Sequence, residues 1–283
     1  MTHMTAAARS IVPATLALGI TLALAIPVSA QVSVEVSPLR VELQAGPGST
    51  TTQPVTLTNH GKEAVRLRAT LTDWDLTRDG TPQFEGSEVG GRYSATSWLR
   101  IAPPEQLIEP GASATVRFSA RVPDAVEPGG YRTGILFEFE SASGALVSPK
   151  RELAFRSRIA TLIYIDTGAA PVMTELVDVR VQPTAAGVDI VATVKNSGRR
   201  TVRTKGTLVL YDAAGGIARE ATVPDVPLLP ESEREVAVPV ASTSSGQPPS
   251  APLAPGLYRA ELKLDLGLAA LIVGETPVRI TPR

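Results

Sequence analysis

The chain has 283 residues, with 27 Lys+Arg against 28 Asp+Glu, two histidines and no cysteine. A formal net charge of −1 sets up no global field for nucleic acid or an anionic membrane. The missing cysteines exclude a disulfide framework, a thiolate nucleophile and a cysteine-type zinc site. With 23 Gly, 24 Pro and only 4% aromatic residues, the composition reads as short strands divided by many turns, and the length as two domains.

Residues 1–30 read as an address. Arg9 precedes an apolar run from Ile11 to Ile26, which ends in Pro27 and the small-residue pattern Val28-Ser29-Ala30. This pattern predicts a signal peptide cleaved before Gln31, and a periplasmic or secreted protein. No later segment is apolar enough to span a membrane. Loss of the leader removes His3, so any histidine chemistry rests on His60.

An internal repeat organises the rest. Asn59-His-Gly61 followed by Val65-Arg66 returns as Asn196-Ser-Gly198 followed by Val202-Arg203. The same offset carries Thr70-Leu71 to Thr207-Leu208, and Trp74-Asp75 to Tyr211-Asp212. Pro128-Gly-Gly-Tyr131-Arg132 returns as Pro255-Gly-Leu-Tyr258-Arg259. The offset shortens between these motifs, which places an extra segment of the first copy within residues 83–97. A Ser/Pro-rich insertion of the second copy falls at 241–255. Two similar domains follow, 31–168 and 171–283, joined near Gly168 and Pro171.

Each copy alternates with the period of a half-buried strand. In chain order the first shows Leu39/Val41/Leu43, with Arg40 and Glu42 facing out; Val55/Leu57; Val65/Leu67/Ala69/Leu71, opposite Arg66, Arg68 and Thr70; Ala114/Val116/Phe118, opposite Thr115, Arg117 and Arg121; Tyr131 to Phe139; and a last strand over 152–166 with Leu153, Phe155, Ile159 and Ile163 inward. The second copy repeats this with Val188/Ile190/Ala192/Val194, Val236/Val238/Val240, Leu262/Leu264/Leu266 and a final strand at 276–280. The Asn-x-Gly turns are attributed to residues that tolerate positive φ. About seven short strands per copy predict an all-β fold: two tandem immunoglobulin-like β-sandwich domains after the cleaved leader.

Chemical constellations are few. Asp73, Asp75 and Asp79-Gly80 lack the ligand spacing of a calcium loop and read as a strand end with a polar turn. His60 reads as an exposed turn residue, and no nucleophile elbow is present, so neither an enzyme nor a cofactor is expected. Lys195, Arg199, Arg200, Arg203 and Lys205 form a basic cluster. It suits an acidic glycan or, preferably, the protection of a sheet edge; without interleaved aromatics it does not suit nucleic acid. Arg40 is either a solvated side chain or the anchor of a peptide carboxylate.

The stretches Ser37-Pro-Leu-Arg40-Val-Glu-Leu, Pro54-Val-Thr-Leu-Thr-Asn59 and Ala102-Pro-Pro-Glu-Gln-Leu-Ile-Glu-Pro-Gly111, with Tyr131 to Phe139, resemble the N-terminal domain of PapD-like periplasmic pilus chaperones. The strand order also resembles WxL-interacting cell-wall proteins. The chaperone resemblance implies that the last strand of the first domain is lent to an exported protein subunit, with an outer-membrane usher as a further partner. It also implies two basic residues that hold the subunit's terminal carboxylate. Arg40 matches the first of these. The second falls at Thr161, with Arg156 and Arg158 nearby on the opposite face and Ile159 in the inward row. Where that family carries Asp-Arg-Glu-Ser and then Pro-Pro, this chain has Val122-Pro-Asp-Ala-Val-Glu-Pro-Gly-Gly-Tyr-Arg. The expected function is a secreted chaperone-like protein that binds exported subunits. The alternative is a cell-envelope structural or adhesive protein that binds glycan or peptidoglycan.

Overall fold

The computed structural model describes residues 33–84, 91–141, 147–148, 151–152, 157–185, 187–240 and 253–281. The expected leader, most of the 241–255 insertion, and Leu153, Phe155 and Arg156 lie outside the described residues. The first half contains β1 (Val34–Ser37), β2 (Arg40–Gln44), β3 (Thr50–Asn59), β4 (Val65–Thr72), β5 (Asp75–Leu76), β6 (Pro82–Gln83), β7 (Leu99–Ala102), β8 (Glu105–Ile108), β9 (Ser113–Arg121), β10 (Gly130–Ser141), β11 (Val147–Ser148), β12 (Arg151–Glu152) and β13 (Ser157–Asp166). The second half contains β14 (Thr174–Thr184), β15 (Gly187–Asn196), β16 (Val202–Arg203), β17 (Lys205–Tyr211), β18 (Ile217–Thr222), β19 (Pro227–Leu228), β20 (Ser232–Pro239), β21 (Gly256–Asp265) and β22 (Ile272–Ile280). Among the described residues helix is confined to 3-10 turns at Gly91–Tyr93 and Thr96–Trp98. Among the described residues no helix is long and apolar enough to cross a membrane.

The chain is all-β and immunoglobulin-like. In the first half, sheet β1-β3-β9-β7 faces sheet β2-β13-β10-β4-β8. At two places the chain passes from one of these sheets to the other: β1 to β2 at Pro38, and β7 to β8 at Pro103. Both peptide bonds at these crossings are cis. In the second half, sheet β14-β15-β20 faces sheet β18-β17-β21-β22. Each pair encloses its own apolar cluster. Leu57, Leu67, Phe118, Phe137 and Ile163 are fully buried in the first, and Ile190, Leu208, Leu262 and Val278 in the second. Alternation carried this outcome: one face of each strand leaves water, at about 25 cal/mol per Å² of apolar area.

The repeat has a structural counterpart in hydrogen bonds. Asn59 and Asn196 are both buried. Asn59 Nδ2 donates to the carbonyls of Glu63 (2.7 Å) and Ile108 (3.0 Å), while its Oδ1 accepts from Gly61 N (2.9 Å). Asn196 Nδ2 donates to Arg200 (2.7 Å) and Leu229 (2.9 Å), and its Oδ1 accepts from Gly198 N (3.0 Å). The positive-φ explanation of these turns is thus corrected, because neither Gly61 nor Gly198 has left-handed backbone. The asparagine side chain holds the turn. The glycine of the second copy is explained by a close approach, since a Cβ on Gly198 would stand 3.0 Å from Met173 N and Pro171 O. Tyr131 and Tyr258 also match: each hydroxyl donates to the carbonyl four residues upstream, at Glu127 (3.1 Å) and Ala254 (2.8 Å). This is the tyrosine corner of immunoglobulin-type sandwiches.

Candidate functional site: a free sheet edge beside an ion-paired cleft

The crossing at Pro38 opens the edge of a sheet. β13 pairs antiparallel with β10 along its whole length, from Asp166 opposite Gly130 to Ser157 opposite Phe139. On its other side it pairs in parallel with β2, but only from Leu162 opposite Arg40 to Asp166 opposite Gln44. Before Arg40 the chain belongs to the other sheet, so among the described residues 157–161 of β13 have no strand on that side. Leu162 N donates to Leu39 O (2.9 Å), which fixes the parity. The N–H and C=O groups of Arg158 and Ala160 therefore point to the free side.

The side chains around this edge are arranged by the same crossing. Thr161 is fully buried, and its hydroxyl donates to Pro38 O (2.9 Å), which holds the crossing against β13. Ile159 packs half-buried on the first apolar cluster. Arg158 is exposed and pairs with Glu138 (2.7 Å) across to β10. Arg40 lies outward at the mouth of the edge, paired with Glu42 (3.3 Å). Leu39 departs from the sequence expectation. It is 55% exposed rather than inward, because the crossing turns its side chain away from both sheets. It stands as an apolar residue beside the free edge that alternation alone could not find. Of the expected last strand the described part runs from Ser157 to Asp166, residues 153–156 lie outside the described residues, and Glu152 belongs to β12, which pairs with β11. Arg40, Arg158, Ile159 and Thr161 thus gather at one opening, with Thr161 facing inward and Arg158 outward.

The outer face of the same sheet runs into a cleft against the second half. Trp74, Tyr164 and Leu229 form a third buried cluster there, with Leu162, Leu76 and Phe84 against it. Burial pushes the Tyr164 hydroxyl up to about 12. Burial likewise draws the Arg234 guanidinium below its ordinary value. Arg132 is buried, stacks over Trp74 at 5.9 Å, donates to Trp74 O (2.9 Å) and pairs with Asp75 (2.6 Å). A cavity of about 120 Å³ opens beside Tyr164, lined also by Glu42, Asp166, Arg200, Thr201 and Arg203.

The basic cluster receives a different assignment from the one expected. Arg199 pairs with Glu127, Arg200 with Asp166 (2.8 Å) and Arg203 with both Glu42 (3.2 Å) and Asp225 (2.6 Å). Three of its arginines therefore bind carboxylates of the first half, neither guarding an edge nor awaiting a glycan; Lys195 pairs locally with Glu175 (3.2 Å). Arg92 adds a pair to Glu231 (3.3 Å), and Arg78 a pair to Glu233. Backbone joins in. Gly130 N donates to Arg199 O (2.6 Å) and Glu235 N to Arg78 O (2.7 Å). The three aspartates considered for calcium serve separately: Asp73 accepts from Ser94 and Thr96 (both 2.5 Å), Asp75 binds Arg132, and Asp79 accepts from Thr81 N (3.1 Å). His60 pairs with Glu35 (2.9 Å) at the surface. No group of three or more possible metal ligands occurs among the described residues.

Fold and edge together define the class: an all-β, immunoglobulin-like protein with an open last strand in its first sandwich. No protein-family model matches the chain, and no curated protein matches its sequence. Among solved structures it is similar to the YadV chaperone (14% identity, TM-score 0.42, 87% of this chain and 99% of that chain). It is also similar to the Pseudomonas aeruginosa CupB2 chaperone (13%, 0.40, 87% and 100%). A third likeness is to the Salmonella enterica SafA pilin in complex with the SafB chaperone (11%, 0.43, 88% and 97%).

Proposed function

We propose that the protein is an exported, non-catalytic chaperone that binds other exported proteins by strand addition at the 157–161 edge of β13. The observation that carries this reading is the unpaired side of that edge, which offers the main-chain groups of Arg158 and Ala160 to an incoming strand. Main-chain pairing supplies affinity for any extended segment. Leu39 and half-buried Ile159 supply an apolar margin, and Arg40 can exchange its half-exposed Glu42 partner for a client carboxylate. The two sandwiches are read as domains, 31–168 and 171–283.

The test is co-purification of the full chain with exported proteins, comparing wild type with Ala160→Pro and Arg40→Ala. Proline at 160 removes one free-side N–H and leaves the pairing with β10 in place. Ala160→Pro should lose the complex while keeping its circular dichroism. Arg40→Ala should weaken the complex about tenfold, the value of one charge-assisted hydrogen bond. A complex that survives Ala160→Pro unchanged would refute strand addition.

A further inference from the structure

The opposite sheet of the first sandwich has an outer face with its own chemistry. Parity places Thr50, Thr52, Pro54, Thr56 and Thr58 outward on β3. Ser113, Thr115, Arg117, Ser119 and Arg121 face the same way on β9, and Arg100 on β7. The rows are in register: Thr52 opposite Ser119 opposite Arg100, and Thr50 opposite Arg121. Hydroxyls already join strands across the face, Thr52 to Ser119 at 2.7 Å and Thr58 to Ser113 at 2.9 Å.

On β3, β9 and β7 the charge of this face is one-sided, and its one acid lies on β1 at Glu35. Elsewhere on the described surface most arginines have carboxylates within salt-bridge reach, whereas Arg100, Arg117 and Arg121 have none. Among the described residues Arg100 hydrogen-bonds to the carbonyls of Leu99 (2.8 Å) and Ser97 (3.4 Å). Arg117 and Arg121 stand four residues apart on one strand face, about 13 Å at strand rise, with Ser119 and Arg100 between them. The acids nearest in sequence and register are Glu35, which pairs with His60 on the far edge strand, Glu105, which pairs with Arg68 on the other sheet, and Asp124, which lies against Gly48.

We infer that this face binds an acidic polysaccharide. The three arginines would hold successive carboxylates by charge-assisted, bidentate contacts, and the threonine and serine hydroxyls would bond sugar hydroxyls between them. Charge complementarity selects a polyanion. The face carries no aromatic residue to stack on bases and no exposed large apolar residue to enter a bilayer, so a polysaccharide fits it better than nucleic acid or lipid. The face belongs to the other layer from the β13 edge, so both can be occupied at once. A chaperone held this way would be retained on envelope glycan while it carries a client.

The test uses the full chain and polygalacturonate as the probe, with dextran and anionic phosphatidylglycerol vesicles as comparators. Wild type should bind polygalacturonate at low salt and release it at high salt, and should ignore dextran. The variant Arg100→Gln/Arg117→Gln/Arg121→Gln should lose at least about tenfold in affinity, since three solvated contacts are removed. Arg66→Gln, on the other sheet, should bind as wild type does. All three sites are exposed, and an unchanged thermal midpoint would show that the variants fold. Absence of wild-type binding to polygalacturonate, equal binding by the triple variant, or binding to vesicles but not to polymer would each overturn the inference.

Discussion

Replacing Asn59 tests what holds the repeated turn. Its amide is fully buried and makes three hydrogen bonds, two as donor to Glu63 O and Ile108 O and one as acceptor from Gly61 N. Asn59→Ala leaves those backbone groups without their partner, and the buried Ile108 carbonyl has no ready access to water. At about 1 kcal/mol per lost bond, the cost is about 3 kcal/mol. With a urea slope of about 2 kcal/mol/M, the midpoint should fall by about 1.5 M. Asn196→Ala removes the matching set and should cost a similar amount. Asn59→Asp is the sharper variant. The carboxylate still accepts from Gly61 N but faces two carbonyls with no proton to give, so at neutral pH it should be at least as damaging as alanine. Urea unfolding followed by circular dichroism measures all three. An Asn59→Asp protein as stable as wild type would refute the account and return the turn to its glycine.

Other consequences can be checked on the same protein. A Cβ on Gly129 would meet Arg199 O at 2.9 Å, whereas one on its repeat partner Gly256 would meet only a Tyr258 ring carbon at 3.8 Å. Gly129→Ala should therefore lower stability by about 1–3 kcal/mol and Gly256→Ala should stay within about 0.5 kcal/mol, by thermal unfolding; equal effects would remove the junction from the explanation. Tyr164 ionises near 10 when unfolded and at about 12 when folded. Its neutral form thus contributes fully below pH 10, and the contribution is lost as pH rises toward 12. Tyr164→Phe should flatten that alkaline loss by up to about 2–3 kcal/mol, and parallel pH curves for the two proteins would contradict it. Expressed separately, 31–168 and 171–283 should each fold, because each encloses its own cluster. The shared Trp74–Tyr164–Leu229 contact should make each less stable than in the whole chain, as urea curves would show.

Much of the fold was legible in one dimension. Period-two alternation marked Val55, Leu57, Val65, Leu67, Val116 and Phe118 as inward, and all six are buried, because a strand's side chains can leave water only on one face. The repeat likewise placed Asn59 with Asn196 and Tyr131 with Tyr258, since each motif makes its hydrogen bonds mainly within its own turn or corner. What sequence could not supply depends on which strands become neighbours. The partners of Arg199, Arg200 and Arg203 lie far away in the chain, and nothing local says that a basic turn will meet Glu127, Asp166 and Glu42. The free edge at 157–161 exists because the chain changes sheets beside Leu162, and that same change exposes Leu39 against its alternation. Local pattern thus determined which face of each strand is apolar, through burial. Only the tertiary structure decided which edges are paired and which charges are neutralised, because both depend on contacts between segments distant in sequence.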